Sequence, residues 1–244
     1  MVGLGGVEER AAQEELLRTG ALEVEGRLVD ASNATLFCRV VADDVVAACV
    51  YKPVAGERPL WDFPDGTLAG REVSTYLVSE AVGWDLVPPT VLRPDGPYGT
   101  GMVQLWVDVD ASVDLAQLAR SRHPDLQRMV LLDAVVNNGD RKGGHLLPTP
   151  DGRVRGCDHG VCFSDEDKLR TLLWQWRGRP LPAEALEVLA GLRVRLRDDL
   201  GEQLSAHLTR DEVDATRARV DRLLATRRYP LPSPDWPAIP WPPF

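Results

Sequence analysis

The feature that most constrains the fold is a change of apolar rhythm near residue 111. Before it, the apolar residues fall in short β-rich runs bounded by turn residues: "ALEVEGRLV", "TLFCRVV" and "DVVAACVYKP", the last ending at Pro53. One segment interrupts them. In "TLAGREVSTYLVSEAVG" the residues Val73, Tyr76, Leu77 and Ala81 follow helical spacing, with Gly83 as its stop. Strand character returns in "LVPPTVLRPDGPYGTGMVQLWVDV", around a glycine-rich hairpin. A short acidic helix over 7–18 precedes all of this. Beyond residue 111 the pattern is helical: "DLQRMVLLDAVVNN", then "PAEALEVLAGLRVRLRDDLGEQLSAHL" and "RDEVDATRARVDRLLAT", with a hairpin-like pair expected in "GRVRGCDHGVCF" around Asp158. The order β, β, β, α, β, β and then helices predicts an α+β chain with a β-rich first half and a helical second half.

Composition narrows the function classes. The 244 residues carry a net charge of −9, so nucleic-acid binding driven by overall charge is not expected. Cys38, Cys49, Cys157 and Cys162 form no CxxC pair and read as reduced, buried small hydrophobes. No signal peptide and no run of eighteen apolar residues is visible, so a cytoplasmic protein without integral membrane association is expected. The last stretch, "YPLPSPDWPAIPWPPF", is too rich in proline for a helix. Trp236, Trp241 and Phe244 predict a tail laid across the body.

Four residues carry the chemistry. Lys52 ends an apolar strand, where an ammonium is uncomfortable without a partner, and Glu72 follows on the first long helix. A strand lysine paired to a helix glutamate is how kinase-like lobes hold a cation against nucleotide phosphates. "NNGDRKGGH" then sets Asp140 in a glycine-rich turn, with His145 five positions on, and "CDHG" sets Asp158 in a second turn. Phosphoryl transfer needs two such separated carboxylates: one takes the acceptor's proton, the other holds a cation across the phosphates. The turn "DASNA" has no GxGxxG glycines, yet Ser32 and Asn33 are placed to offer donors to phosphate oxygens.

With "YKP", "REVSTYLVSEAVGWDLVPPTV", "VQLWV", "LLDAVVNNGDRKGGHLL" and "CDHGVCF", the chain resembles an actinobacterial-type phosphatidylinositol 3-/4-kinase-like group, itself similar to HipA-like kinases. The resemblance spans roughly residues 20–175 and implies a two-lobed atypical protein-kinase-like fold. It implies an N-lobe over 1–106, a helical C-lobe over 107–228 and a tail over 229–244. ATP would lie between the lobes, Lys52 contacting phosphate, Glu72 orienting it, and Gln104, Leu105 and Trp106 meeting adenine. Asp140 would be the base, and Asp158 the main ligand of Mg²⁺ or Mn²⁺. Asp133 and Asn138 would support the turn, with Arg141 and Lys142 near the transferring phosphate. His145 stands where the family carries Asn; an imidazole can ligate a divalent ion, although Mg²⁺ prefers oxygen.

The expected activity is ATP-dependent transfer of phosphate to an unknown hydroxyl on a protein or small molecule. Two alternatives stay open: a nucleotide-binding regulator without transfer, and AMP transfer on the same fold.

Overall fold

A computed structural model of the protein describes residues 6–28 and 33–244. Five strands form one antiparallel sheet in the order β1-β2-β3-β5-β4: β1 Ala21–Arg27, β2 Leu36–Ala42, β3 Val45–Pro53, β4 Thr90–Gly96 and β5 Gly99–Leu105. Period-two alternation decides what each face carries. Cys38, Val40, Cys49, Tyr51, Val91 and Val103 point one way and pack with Leu17 of helix α1 (Val7–Thr19). The intervening residues, Lys52 and its cross-strand partner Met102, point the other way. Met102 meets Ala69 and Val73 of helix α2 (Leu68–Val82). Lys52 is therefore on the α2 side because Tyr51 is in the core.

Gly101 permits that pairing. A Cβ there would lie 2.5 Å from both the Lys52 carbonyl oxygen and the Tyr51 ring. Helix α2 ends at Gly83 in the left-handed conformation expected of a C-terminal stop (φ 67°).

The second lobe is helical: α3 Leu115–Arg120, α4 Pro124–Val136, α5 Ala183–Arg195, α6 Asp199–Ser205 and α7 Arg210–Thr226. Its core of Leu126, Met129, Leu132, Leu189 and Leu204 also takes in Tyr76, Val78 and Val82 of α2. One helix thus packs its first turns on the other face of the sheet and its remainder in the helical core. The architecture is α+β and two-lobed, as expected.

Two local readings need correction. The stretch 182–208 is not one helix: Arg217 takes the Leu196 carbonyl at 2.8 Å, and the chain restarts as α6. The hairpin expected around Asp158 lies before it. Strand β6 (Leu146–Pro148) pairs with β7 (Val154–Gly156), and Asp158 follows in a left-handed turn at φ 59°. Alternation over so short an apolar run does not show where a strand ends. No helix among the described residues is long and apolar enough to cross a membrane.

Candidate active site

Lys52 Nζ donates to Glu72 Oε1 at 2.6 Å and to Asp158 Oδ1 at 2.8 Å. Burial disfavours the lysine's charge, but Asp158 and Glu72 outweigh it and raise its pKa. Lys52 in turn holds the Asp158 carboxyl well below its usual range, against the opposing effect of burial and with help from His145. Asp158 is thus a carboxylate at any ordinary pH. Its side chain is half exposed, whereas that of Glu72 is only 3% exposed. Glu72 can orient the lysine but offers no surface to a ligand.

His145 meets Asp158 through Nε2, 3.2 Å from Oδ2, and the Lys142 amide points at its Nδ1 from 3.5 Å. Because an amide only donates, Nδ1 accepts and Nε2 carries the proton. In this tautomer His145 hydrogen-bonds Asp158 and has no lone pair for a cation. Ligation through Nε2 requires the other tautomer and loss of the long Lys142 contact.

The Asp140 turn is built from the end of α4. Asn137 caps the helix in the left-handed region (φ 53°). Asn138 donates to Asp133 Oδ1 at 3.0 Å, and its own Oδ1 accepts the Asp140 amide at 2.9 Å. Asp140 itself is partly exposed, with Lys142 Nζ 3.1 Å from its carboxylate. The two aspartate turns are joined through the backbone: Gly139 N–H donates to Val161 and Cys157 N–H donates to His145.

Arg141 departs from expectation. Rather than facing phosphate, it is fully buried, bridging Asp133 at 2.8 Å and the Cys157 carbonyl at 3.1 Å. Burial opposes its charge, but Asp133 raises its pKa. Its Nη2 also meets His159 Nε2 at 2.6 Å. Arginine cannot accept, so Nε2 must, which fixes His159 as a neutral imidazole protonated at Nδ1. Burial, and then Arg141, hold its pKa well below the usual value. The His159 amide donates to Glu72 Oε2 at 2.8 Å.

Other expected ligand groups are placed less directly. Ser32 lies outside the described residues. Asn33 Oδ1 accepts the Arg58 amide at 2.9 Å, so that oxygen braces the segment after β3. The Gln104 side chain is buried and donates to Thr90 at 2.8 Å. The Leu105 and Trp106 amides are taken by Pro89 and Ala48. Among the described residues, the first amides without a partner beyond β5 are those of Val107 and Asp108.

Sequence reasoning missed Arg71. Beside Glu72 on α2, it is fully buried, pairs with Glu212 of α7, donates to the Cys162 carbonyl at 2.7 Å and lies over Phe63. An arginine inside the apolar α2 pattern was the available signal, since arginine is rarely buried without a fixed partner.

Among curated proteins, "Protein Rv2133c" of Mycobacterium tuberculosis (strain ATCC 25618 / H37Rv) is 44% identical, over 96% of each chain. The chain belongs to the family of that mycobacterial protein. No protein-family model matches it. Phosphatidylinositol 4-kinase gamma 4 of Oryza sativa subsp. japonica is 28% identical over 45% of this chain, which spans 22% of that protein. Among solved structures, the Golgi casein kinase with Mn/ADP bound is similar at TM-score 0.63 and 15% identity, covering 91% of this chain and 76% of that one. Hydra Fam20 with sugar matches at 0.58 and 13%, covering 91% and 89%. The Helicobacter pylori proinflammatory kinase CtkA matches at 0.51 and 9%, covering 87% and 94%. These likenesses show a kinase-like fold.

Proposed function

We propose that the protein is an ATP-dependent phosphotransferase working with a divalent cation. The observation that carries this reading is the lysine of β3, held at once by the α2 glutamate and the exposed Asp158. Asp158 keeps its carboxylate half exposed beside that lysine, and the Gly139–Val161 and Cys157–His145 backbone bonds tie its turn to that of Asp140. Lys52 would neutralise phosphate oxygens, and its ion pairs hold the ammonium in place beforehand, so little reorganisation is needed as charge develops. Asp140, positioned by Asn138, would orient the acceptor hydroxyl and take its proton. Lys142 stands beside Asp140 and would balance charge there.

The donor set suits a hard cation in an open site. Among the described residues no three His, Cys, Asp or Glu side chains converge on one point. Asp158 supplies one exposed carboxylate, and nucleotide oxygens and water would complete the shell, as Mg²⁺ and Mn²⁺ accept. Such a cation would neutralise charge across the phosphates. By the available donors, adenine would meet the chain at Val107 and Asp108 rather than through the Leu105 and Trp106 amides. The weak likeness to a phosphatidylinositol 4-kinase agrees with the group suggested by the motifs, and the acceptor is a hydroxyl of undefined class.

The experiment is turnover of γ- and α-labelled ATP with Mg²⁺ and Mn²⁺ in parallel, beside Asp158→Asn. Metal-dependent release or transfer of the γ label, lost in the variant, is expected. Transfer of the α label would make this an AMP transferase. Nucleotide-induced thermal stabilisation without either transfer would make it a binding regulator.

A further inference from the structure

The segments "WQWRGRP" and "RRYP" meet on the helical lobe, where Pro180 bridges to Arg228. Between them lies a cavity of about 590 Å³ lined by Arg122, Gln127, Trp176, Arg179, Pro180 and Tyr229. That volume is typical of a small-molecule site. It opens at the start of α4, the helix whose far end leads into the Asp140 turn. Thirteen residues of helix separate the two ends, roughly 20 Å, so the cavity is distinct from the cleft around Lys52.

Its chemistry is one-sided. Arg122 and Arg179 are both exposed, and neither has a carboxylate within ion-pair distance among the described residues, although the chain as a whole is acidic. Tyr229 forms the floor. It is 2% exposed, and its hydroxyl lies toward Gln127 without closing a hydrogen bond. A smaller cavity of about 120 Å³ shares Gln127 and Tyr229 and contains Trp84, whose buried Nε1–H also lacks an acceptor. The carboxylate lining that second cavity, Glu184, is taken by Arg128 at 3.2 Å. Two arginines and one buried hydroxyl without a partner, that of Tyr229, thus line the larger cavity, whose lining holds no carboxylate.

We infer that this cavity is a second ligand site, for a small phosphate monoester carrying a planar apolar body. The two lining arginines offer guanidinium donors to a phosphate's oxygens, which accept several charge-assisted hydrogen bonds at once. The Trp176 indole and the Pro180 ring supply apolar walls for the remainder of the molecule. Burial drives the Tyr229 phenol up to about 12, so it stays protonated and a donor. The site is independent of the proposed turnover and stands or falls without it.

Calorimetric titration of the full chain with phenyl phosphate, and separately with phenol, tests the site. A Lys52→Met variant removes the cleft's own phosphate contact. Saturable binding of phenyl phosphate by wild type and Lys52→Met alike is expected, at least tenfold weaker in Arg122→Ala/Arg179→Ala, with phenol binding far more weakly. Both arginines are exposed, and a wild-type melting temperature for the double variant would show that it is folded. Tyr229→Phe should weaken binding without abolishing it. Binding lost in Lys52→Met but kept in the arginine variant would assign the phosphate to the cleft and overturn the inference. So would equal affinity for phenol, or no binding at all.

Discussion

Glu72 accepts the backbone amide of His159 through Oε2 at 2.8 Å while its Oε1 holds Lys52 at 2.6 Å. One buried carboxylate therefore sets both the strand lysine and the turn that presents Asp158. Glu72→Gln keeps the shape but leaves one oxygen to do the work of two. ATP turnover should fall about 10–100-fold, the usual cost of losing a group that orients a ligand-bearing turn. The melting temperature should change little. Turnover equal to wild type would detach Glu72 from the chemistry.

Arg71 fixes the helix that carries Glu72. Its guanidinium pairs with Glu212 of α7 and donates to Cys162, just beyond the Asp158 turn. Helix α2 is thereby fastened to the helical lobe rather than left to swing with the sheet. Arg71→Met leaves Glu212 without its partner, and breaking such a buried pair costs about 3–5 kcal/mol. For a chain of this length that lowers the melting temperature by on the order of 10 °C. Restoring neutrality with Arg71→Met/Glu212→Leu should recover part of the loss. A single variant as stable as wild type would mean that the pair contributes nothing net.

His145 donates a hydrogen bond to Asp158 rather than a lone pair to a cation. An asparagine at 145 would bring an amide oxygen, the donor hard cations prefer. Turnover by His145→Asn should therefore gain in Mg²⁺ relative to Mn²⁺. The comparison is the ratio of the two rates in each protein. An unchanged ratio would show that residue 145 has no influence on the cation.

The alternating strands, the α2 helix with its Gly83 stop and the α4 helix were legible because each rests on local periodicity or a single turn residue. The ion pair of Lys52 with Asp158, across 106 residues, follows no spacing rule. Its pairing with Glu72 was legible because a lysine at the end of an apolar strand is costly without a partner. Arg141 was misplaced for the converse reason. Beside an exposed lysine it reads as a second phosphate contact, and only tertiary packing shows that Asp133, eight residues earlier, has claimed it. The site's dependence on Arg71 and Glu212 spans 141 residues of separation, beyond any spacing rule. The free backbone amides at Val107 and Asp108 depend on where β5 stops pairing, and strand ends are poorly marked in sequence.

His159 gives the protein an acid-sensitive point. Burial, then Arg141, keep its imidazole neutral in the folded state, with a pKa well below the usual 6.5. Sign follows from proton counting: below about 6.5 the unfolded chain binds a proton that the folded one refuses. The stabilisation is thus complete above that pH and drains away as pH falls beneath it. His207, half-buried and also lowered, acts in the same direction. Asp158 adds stability of the carboxylate kind, lost only at far lower pH. Melting temperatures from pH 7.5 to 5 should fall for wild type and fall less steeply for His159→Gln. Parallel profiles would place the acid sensitivity elsewhere.

The tail is the last element whose role can be measured directly. The Ala238 carbonyl accepts both the Thr171 amide (3.0 Å) and the Trp174 indole N–H (2.8 Å), while Trp236 stacks on Trp61 and lies over Lys168. Further on, the Pro243 carbonyl accepts the Gly143 amide at 2.8 Å, and the Phe244 ring covers Gly143 so closely that a Cβ there would sit 2.0 Å from it. Trp241 takes no part, being 85% exposed. Removing residues 230–244 deprives three donors of their acceptors, each worth roughly 1–3 kcal/mol where water cannot substitute. It also uncovers the apolar surface beneath the aromatic rings. The truncated protein should melt several degrees lower, with turnover altered as well because Gly143 belongs to the Asp140 turn. If the melting temperature held and only turnover changed, the tail would act on the site without contributing to stability. If neither moved, the contacts across Thr171, Trp174 and Gly143 would carry no weight in solution.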